Sequence, residues 1–330
     1  MIYRTNKNRM ILKKIKRKIK PYIKSWHYYG NLHNSENAML LHQDFCSVPI
    51  LKEQARTQGL KLIDDYVDTK KKSDTIFIFG SGESVNYLTA EHWEEIKKHN
   101  TLGLNYFFVH DFVPDYFMIE MIRSIDMQVF FNKVAYEKAY QNVDMFIQYE
   151  HAKRKDYDFS NYPFQEKMWV HVPYKIPALS NENFKKSLLY FEAKKGISLP
   201  NIIHHRSHID CTIQFAYILG YKKIVLIGVD LNLSPYFTSL KAVPSKTYPY
   251  NEDYNKLNVI RDAFFVADGR PHLIETPTKD KETVAELCWI FSKDSIHFMN
   301  DLLLKPHGVS LFVSSKVSSL SEFLPVYFDK

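Results

Sequence analysis

The chain has 330 residues, 45% hydrophobic and 25% charged, enough apolar material for one large core or two modest ones, which excludes a disordered chain. Its net charge of +7 is concentrated at one end: Arg4, Lys7, Arg9, Lys13, Lys14, Lys16, Arg17, Lys18, Lys20 and Lys24 supply ten positive charges before any acidic residue, leaving the rest at −3 and ill suited to nucleic-acid binding. Three scattered cysteines, Cys46, Cys211 and Cys288, with no C-x-x-C pair, point to a reducing, cytoplasmic compartment and away from a zinc site.

Ile11, Leu12, Ile15, Ile19, Tyr22 and Ile23 recur at spacings of three and four among the lysines, predicting a basic amphipathic helix within residues 1–25. Such a helix can lie on an anionic membrane face, here the inner face of the cytoplasmic membrane; a helix packed on the body, or a solvated tail, fits the same pattern. No stretch approaches the length of an apolar membrane span. Residues 26–73 read as a helical linker region, with a helix from Val48 to Tyr66, and residues 74–330 as the catalytic α/β domain.

Thr75 to Phe79 is a continuous β-branched and aromatic run, which predicts a central parallel strand buried on both faces. Gly80 and Gly82 follow it and allow a tight turn with amides open to an anion; Ser84 adds a hydroxyl, and a helix from Thr89 to Lys98 would aim its positive end there. A plain Gly-Ser turn is the alternative. A dinucleotide site is disfavoured, since Val85 and Asn105 stand where that fingerprint wants a small and an acidic residue. Further strands are expected at Thr101 to Asn105, Asp115 to Met121 and Met127 to Phe131, giving a Rossmann-like, doubly wound, mostly parallel sheet with ligands at its carboxyl rim, where Asn105 and Glu120 fall.

Residues 149–200 read as peripheral decoration, with a short strand at Met168 to Val172 and a helix from Asn183 to Lys195. Asp156 and Asp158 form an Asp-x-Asp pair able to hold a divalent ion, but after a basic run rather than a buried strand they suit a solvated loop. Arg206, Ser207 and His208 then open an apolar helix and bring cation, hydroxyl and imidazole toward an anionic ligand. His204 and His205 are adjacent in a strand and point to opposite faces, so at most one joins His208 in a metal cluster. The strand Ile224 to Gly228 ends in Gly228-Val229-Asp230-Leu231-Asn232, and residues 232–271 read as an irregular, Tyr-rich lid holding Tyr236, Tyr248, Tyr250 and Tyr254.

Taken together, Gly80-Ser81-Gly82-Glu83-Ser84, Asn105 with Tyr106-Phe107, and Leu219-Gly220-Tyr221-Lys222-Lys223-Ile224 leading to Gly228-Val229-Asp230 resemble, in order and spacing, the bacterial sialyltransferases of glycosyltransferase family 42. His272 with Glu275 and Thr276, and Val309 to Ser315 with Ser318-Ser319-Leu320, extend the resemblance over residues 74–326. It implies a GT-A-variant fold and inverting, metal-independent transfer of a sialic acid or related acidic sugar such as Kdo from its CMP ester to a surface-glycan acceptor, with no cofactor and no need of magnesium. It further implies His272 as general base and Tyr236 at the leaving phosphate, where Arg206, from the head of the apolar helix, would join it. Gly80, Ser81, Gly82, Ser84, Asn105, Ser207, Gly228, Asp230, Asn232, Ser314 and Ser315 would hold the nucleotide sugar.

The chain departs from the family at Asn232, where a tyrosine is expected, at Ser81, and at Glu120, whose carboxylate would repel an anionic donor unless paired. Two other readings share the first loop. One is a motility-accessory or pterin-pyrophosphokinase-like enzyme using ATP and magnesium, and the other a non-catalytic, membrane-attached nucleotide-sugar-binding protein. A homo-oligomer is compatible with all three.

Overall fold

The computed structural model describes residues 47–120, 125–154, 156–175, 181–195, 201–205, 207–232 and 292–328, together with Phe237, Tyr248, Tyr250, Asp253, Lys256 and Leu257. The basic segment 1–25, His272, Arg206, Tyr236, Tyr254 and most of the lid lie outside the described residues.

Seven parallel strands form the main sheet: β1 (Thr75–Phe79), β2 (Asn100–Leu104), β3 (Tyr116–Ile119), β4 (Asp144–Gln148), β5 (Met168–His171), β8 (Lys223–Ile227) and β9 (Ser310–Val313). A two-stranded parallel ribbon, β6 (Tyr174–Lys175) with β7 (Ile203–His204), stands beside it. The order is β5-β4-β3-β2-β1-β8-β9, so β1 is central and the chain winds outward on both sides of it.

Burial explains the centrality of β1. Ile76 and Ile78 enter one apolar layer and Phe77 and Phe79 the other, and all four are inaccessible to solvent. Period-two alternation cannot show when both faces are covered, hence the unbroken apolar run. One layer is completed by helices at 47–57 (α1), Asn181–Lys195 (α5), His208–Ile218 (α6) and 292–299 (α7). The other is completed by Ala90–Ile96 (α2) and Ile125–Glu137 (α3). Tyr149–Arg154 (α4) follows β4 directly.

Three expectations are corrected. Met127 to Phe131 is not a strand but part of α3, which buries Met127, Phe130, Phe131, Val134 and Ala135 at helical spacing. The fourth strand is Asp144–Gln148, and Met168–His171 is the edge strand of the main sheet rather than decoration. The helix expected from Val48 to Tyr66 ends at residue 57 and gives way to a 3-10 turn at Ile63–Asp65, and Val48, Ala55, Leu62, Ile63 and Tyr66 share the sheet's core. Leu62 bridges to Val170, and the Val170 amide donates to the Lys61 carbonyl at 2.8 Å.

Candidate functional site

The chain reverses its direction of winding between β1 and β8, and the loops leaving their carboxyl ends occupy the rim where ligands bind in a doubly wound sheet. The two loops interlock. Gly80 N–H donates to the Ile227 carbonyl and Gly82 N–H to the Gly228 carbonyl, both at 2.7 Å. A methyl group on Gly82 would lie 2.8 Å from Asp230 Cγ and 2.9 Å from the Gly228 carbonyl oxygen, and Gly228 has φ +66°. Ser84 locks the arrangement: its Oγ donates to Asp230 Oδ1 at 2.6 Å and accepts from Gly228 N–H at 3.0 Å, while its N–H donates to Asp230 Oδ2 at 3.0 Å.

These bonds correct the anion-cradle expectation. The Gly80 and Gly82 amides and the Ser84 hydroxyl are spent on joining two loops, and the glycines are small because a backbone approaches them. The helix expected at Thr89 is preceded by a 3-10 turn, Glu83–Tyr87, and its first turn is closed by Thr89 and His92 capping each other. Asp230 is buried; desolvation raises its carboxyl above the ordinary range despite the two Ser84 bonds.

A third loop clasps the same rim. After β9, Ser318 Oγ donates to the Val229 carbonyl at 2.7 Å, Ser319 N–H to the Asp230 carbonyl at 2.8 Å, and Ser319 Oγ to the Leu231 carbonyl at 2.9 Å. Asn232 Nδ2 donates to the Val317 carbonyl at 2.8 Å. Ser314 N–H continues the β8 ladder to Leu226, and Ser315 Oγ accepts from Val317 N–H at 3.2 Å. Leu231 has φ +48°, an uncommon conformation for a branched side chain, held by these clasps. From the lid region, Phe237 N–H donates to the Ser81 carbonyl at 3.0 Å, Asn86 Nδ2 donates to the Phe237 carbonyl, and Tyr248 OH bonds to Asn86 Oδ1. The Phe237 and Tyr248 rings also pack against His110.

Beyond β1 the rim changes character. Asn105, at φ +49°, ends β2 and accepts the Glu120 N–H at Oδ1, 3.0 Å. The Glu120 carboxylate then faces His204 Nε2 at 3.4 Å and His151 Nδ1 at 3.7 Å. Burial alone would raise Glu120, but hydrogen bonding and charge from His204, with His208 and His151, outweigh it and hold the group at about 2. Burial pulls His204 down, yet Glu120 leaves it raised overall.

Deeper in, His171 and His208 share one contact, Nε2 to Nε2 at 3.0 Å, and burial drives His171 well down and His208 to about 3, so the pair is neutral with one proton between those nitrogens. Gln148, at the end of β4, is fully buried, and neither of its amide atoms has a hydrogen-bond partner.

The sequence-predicted residues thus fall in two places. Gly80, Ser81, Gly82, Ser84, Gly228, Asp230, Asn232, Ser314 and Ser315 lie on the loops at the carboxyl ends of β1, β8 and β9, and Asn105 stands between them and the Glu120 cluster. Ser207 is the N-cap position of α6 without a side-chain cap bond. His204 and His205 do diverge: His205 Nδ1 meets Ser295 Oγ at 2.6 Å and its ring stacks on Phe184. No group of three His, Cys, Asp or Glu among the described residues is arranged to hold a metal ion. Asp158 accepts from Ser160 and Asn161 within its own turn. An open cleft of about 410 Å³ beside Asp158, Lys61 and Met168 lies at the opposite, amino end of β5.

His151, His171 and Gln148 were missed. His151 follows β4 by three residues, and recognising the apolar Met145-Phe146-Ile147 run as a strand would have placed it on the rim.

No family model and no curated protein matches this chain. Among solved structures it is similar to the sialyltransferase CstII from Campylobacter jejuni in complex with a substrate analogue, cytidine-5'-monophosphate, at 12% identity and a TM-score of 0.36, covering 79% of this chain and 86% of that one. It is likewise similar to a point variant of sialyltransferase CST-II in complex with CMP, at 12% identity and a TM-score of 0.37, covering 76% and 85%. Overlap at this level fixes neither substrate nor chemistry.

Proposed function

We propose that this chain is a glycosyltransferase that moves a sialic acid or related acidic sugar, such as Kdo, from its CMP ester to a hydroxyl of a surface-glycan acceptor. The observation that carries the reading is the rim at the β1/β8 reversal, where three loops from β1, β8 and β9 meet.

In this reaction the acceptor oxygen bonds to the anomeric carbon as the carbon–oxygen bond to phosphate breaks. The electron pair leaves with CMP, and a base takes the acceptor proton. Ser314, Ser315 and Asn105 are the proposed contacts to cytosine and ribose, with Ser81, Asn232 and Ser207 near the phosphate. Because the glycine-loop amides are occupied, the phosphate charge falls to side chains, for which we propose Tyr236, matched by the family resemblance, and Arg206, which precedes α6 in the sequence. His272 is the base the same resemblance supplies. The reaction is proposed to need no metal, with the basic segment 1–25 resting on the inner face of an anionic membrane. No helix among the described residues is long and apolar enough to cross one.

Thermal-shift comparison of CMP, CDP, UDP and ATP with magnesium tests the reading, since a ligand at 100 times its Kd stabilises a fold by about 2.7 kcal/mol. Stabilisation by CMP, followed by CMP release from CMP-sialic acid or CMP-Kdo that EDTA leaves unchanged, is the expected result. A response to ATP with magnesium alone overturns it in favour of a nucleotide-phosphate enzyme. CMP binding without turnover of either sugar leaves a binding protein.

A further inference from the structure

Two residues of the lid region, Phe237 and Tyr248, are seated in the body of the domain, 2% and 7% exposed. One side chain bonds to both of them. Asn86, in the 3-10 turn Glu83–Tyr87 that follows the glycine loop, donates from Nδ2 to the Phe237 carbonyl at 3.0 Å and accepts the Tyr248 hydroxyl at Oδ1. Asn86 is itself buried, and its turn is tied to the rim through Ser84 and the Ser84 bonds to Asp230 and Gly228.

An amide suits this place because it offers a donor and an acceptor side by side. Burial, with Asp111 adding to it, pushes the Tyr248 hydroxyl up to about 12, so at neutral pH it keeps its proton and donates. That donor selects the oxygen end of the amide and leaves the NH2 end for the Phe237 carbonyl. On the other side of the same residue, the Phe237 N–H donates to the Ser81 carbonyl at 3.0 Å. Phe237 is therefore bonded at both its backbone groups, once to the glycine loop and once to the turn behind it. Its ring adds packing, 5.1 Å from Tyr248 and 5.9 Å from Phe107 between centroids. A peptide unit is planar, so a fixed Phe237 N–H also fixes the plane of its link to residue 236.

Residue 236 is the tyrosine proposed to meet the leaving phosphate. Resting on that reading, we propose that Asn86 is a positioning residue for Tyr236, acting by holding Phe237 against the glycine loop. Asn86 takes no proton and forms no bond in the reaction. The bond between the anomeric carbon and the phosphate oxygen breaks with its electron pair passing to CMP, and a hydroxyl stabilises that charge only if it stands in place beforehand. A misplacement of about 1 Å can cost about 100-fold in rate.

The test is steady-state release of CMP from CMP-sialic acid and CMP-Kdo with a soluble acceptor, run on the full chain as a double-mutant cycle of Asn86→Ala with Tyr236→Phe. Asn86→Ala is expected to lower kcat about 10- to 100-fold while the donor KM stays within about threefold. The double variant is expected to be no slower than Tyr236→Phe alone, because the hydroxyl that Asn86 positions is already gone. Tyr248→Phe, which keeps the amide and removes its orienting donor, is expected to show a smaller loss of the same kind, and it takes the place of Asn86→Ala in the cycle should that variant fail to fold. A kcat within about twofold of wild type, or losses that multiply in the double variant, overturn the inference, since a residue that only stabilises the fold acts independently of the Tyr236 hydroxyl. Wild-type turnover with a fully active Tyr236→Phe overturns the inference alone, whereas wild-type protein that releases no CMP from either sugar overturns the transferase reading and this inference together.

Discussion

Replacing Ser84 by Ala tests whether the two rim loops are held by the bonds that join them. The substitution deletes a hydroxyl that donates to the Asp230 carboxylate at 2.6 Å and accepts from the Gly228 amide at 3.0 Å, in a site where Ser84 is 2% exposed. A hydrogen bond to a charged group contributes about 1.5–3 kcal/mol, and a buried amide left without a partner costs about 1–3 kcal/mol. Because the loop is only a short way from solvent and relaxation returns part of this, the expected loss is about 3 kcal/mol at neutral pH.

The loss should depend on pH, with a definite sign. Desolvation raises Asp230 above its ordinary 3.8, so its folded form holds the proton more tightly than the unfolded chain does. Stability is therefore highest below the unfolded value and falls as pH rises through the folded one. Without Ser84 a group that lowers Asp230 is gone, the folded value climbs further, and the falling window stretches toward neutrality. Urea unfolding at pH 4.5 and 7.5 should show a larger deficit for Ser84→Ala at the higher pH, and this pH difference should vanish in an Asp230→Asn background. A midpoint unchanged at pH 7.5, or an equal deficit at both pH values, would refute the reasoning.

Glu120→Gln should cost about 3 kcal/mol in urea at pH 7, since it leaves His204 buried without its counter-charge. In the wild type the Glu120 contribution should be present above the unfolded carboxyl value and fade as pH falls through about 2. At φ +49°, Asn105→Ala should be less stable than Asn105→Gly by about 1–2 kcal/mol, because both lose the bond to Glu120 and only Ala meets the left-handed steric penalty; equal melting of the two would show the backbone is not held there. Deleting residues 1–25 should release the protein from anionic liposomes while transfer to a soluble acceptor persists, and a truncated form that still sediments would put the attachment elsewhere.

What the sequence revealed of the fold follows from how local each signal is. β1 and β8 are unbroken apolar runs bounded by glycine and charge, so their burial on both faces is visible in isolation. Met127 to Phe131 is also an apolar run, and five residues are too few to separate period two from period 3.6; the continuation to Val134 and Ala135 decides for a helix. β5 is a strand by its own residues, but its membership of the main sheet depends on pairing with β4, which is distant enough in the chain that no local signal announces it. The glycine loop divides in the same way. Small residues at 80 and 82 announce a close approach, and only the fold says that the approaching group is the 228–230 backbone and the Asp230 carboxylate rather than an anion.

The Glu120 cluster is the part least legible, because its members come from β3, α4, β5, β7 and α6 and none is unusual alone. Read by itself, Glu120 stands against an acidic donor, since two like charges about 4 Å apart repel by about 4 kcal/mol near a protein surface. In the structure that carboxylate is opposed by His204, whose proton affinity it raises, so Glu120 does not stand alone at the rim. Behind it lies a second imidazole pair, His171 and His208, which burial keeps uncharged. A charge placed at His208, as in His208→Lys, would therefore draw Glu120 away from His204, and under the proposed transferase function a variant that still folds should bind CMP normally yet lose transfer; unchanged transfer would show that the cluster takes no part in it.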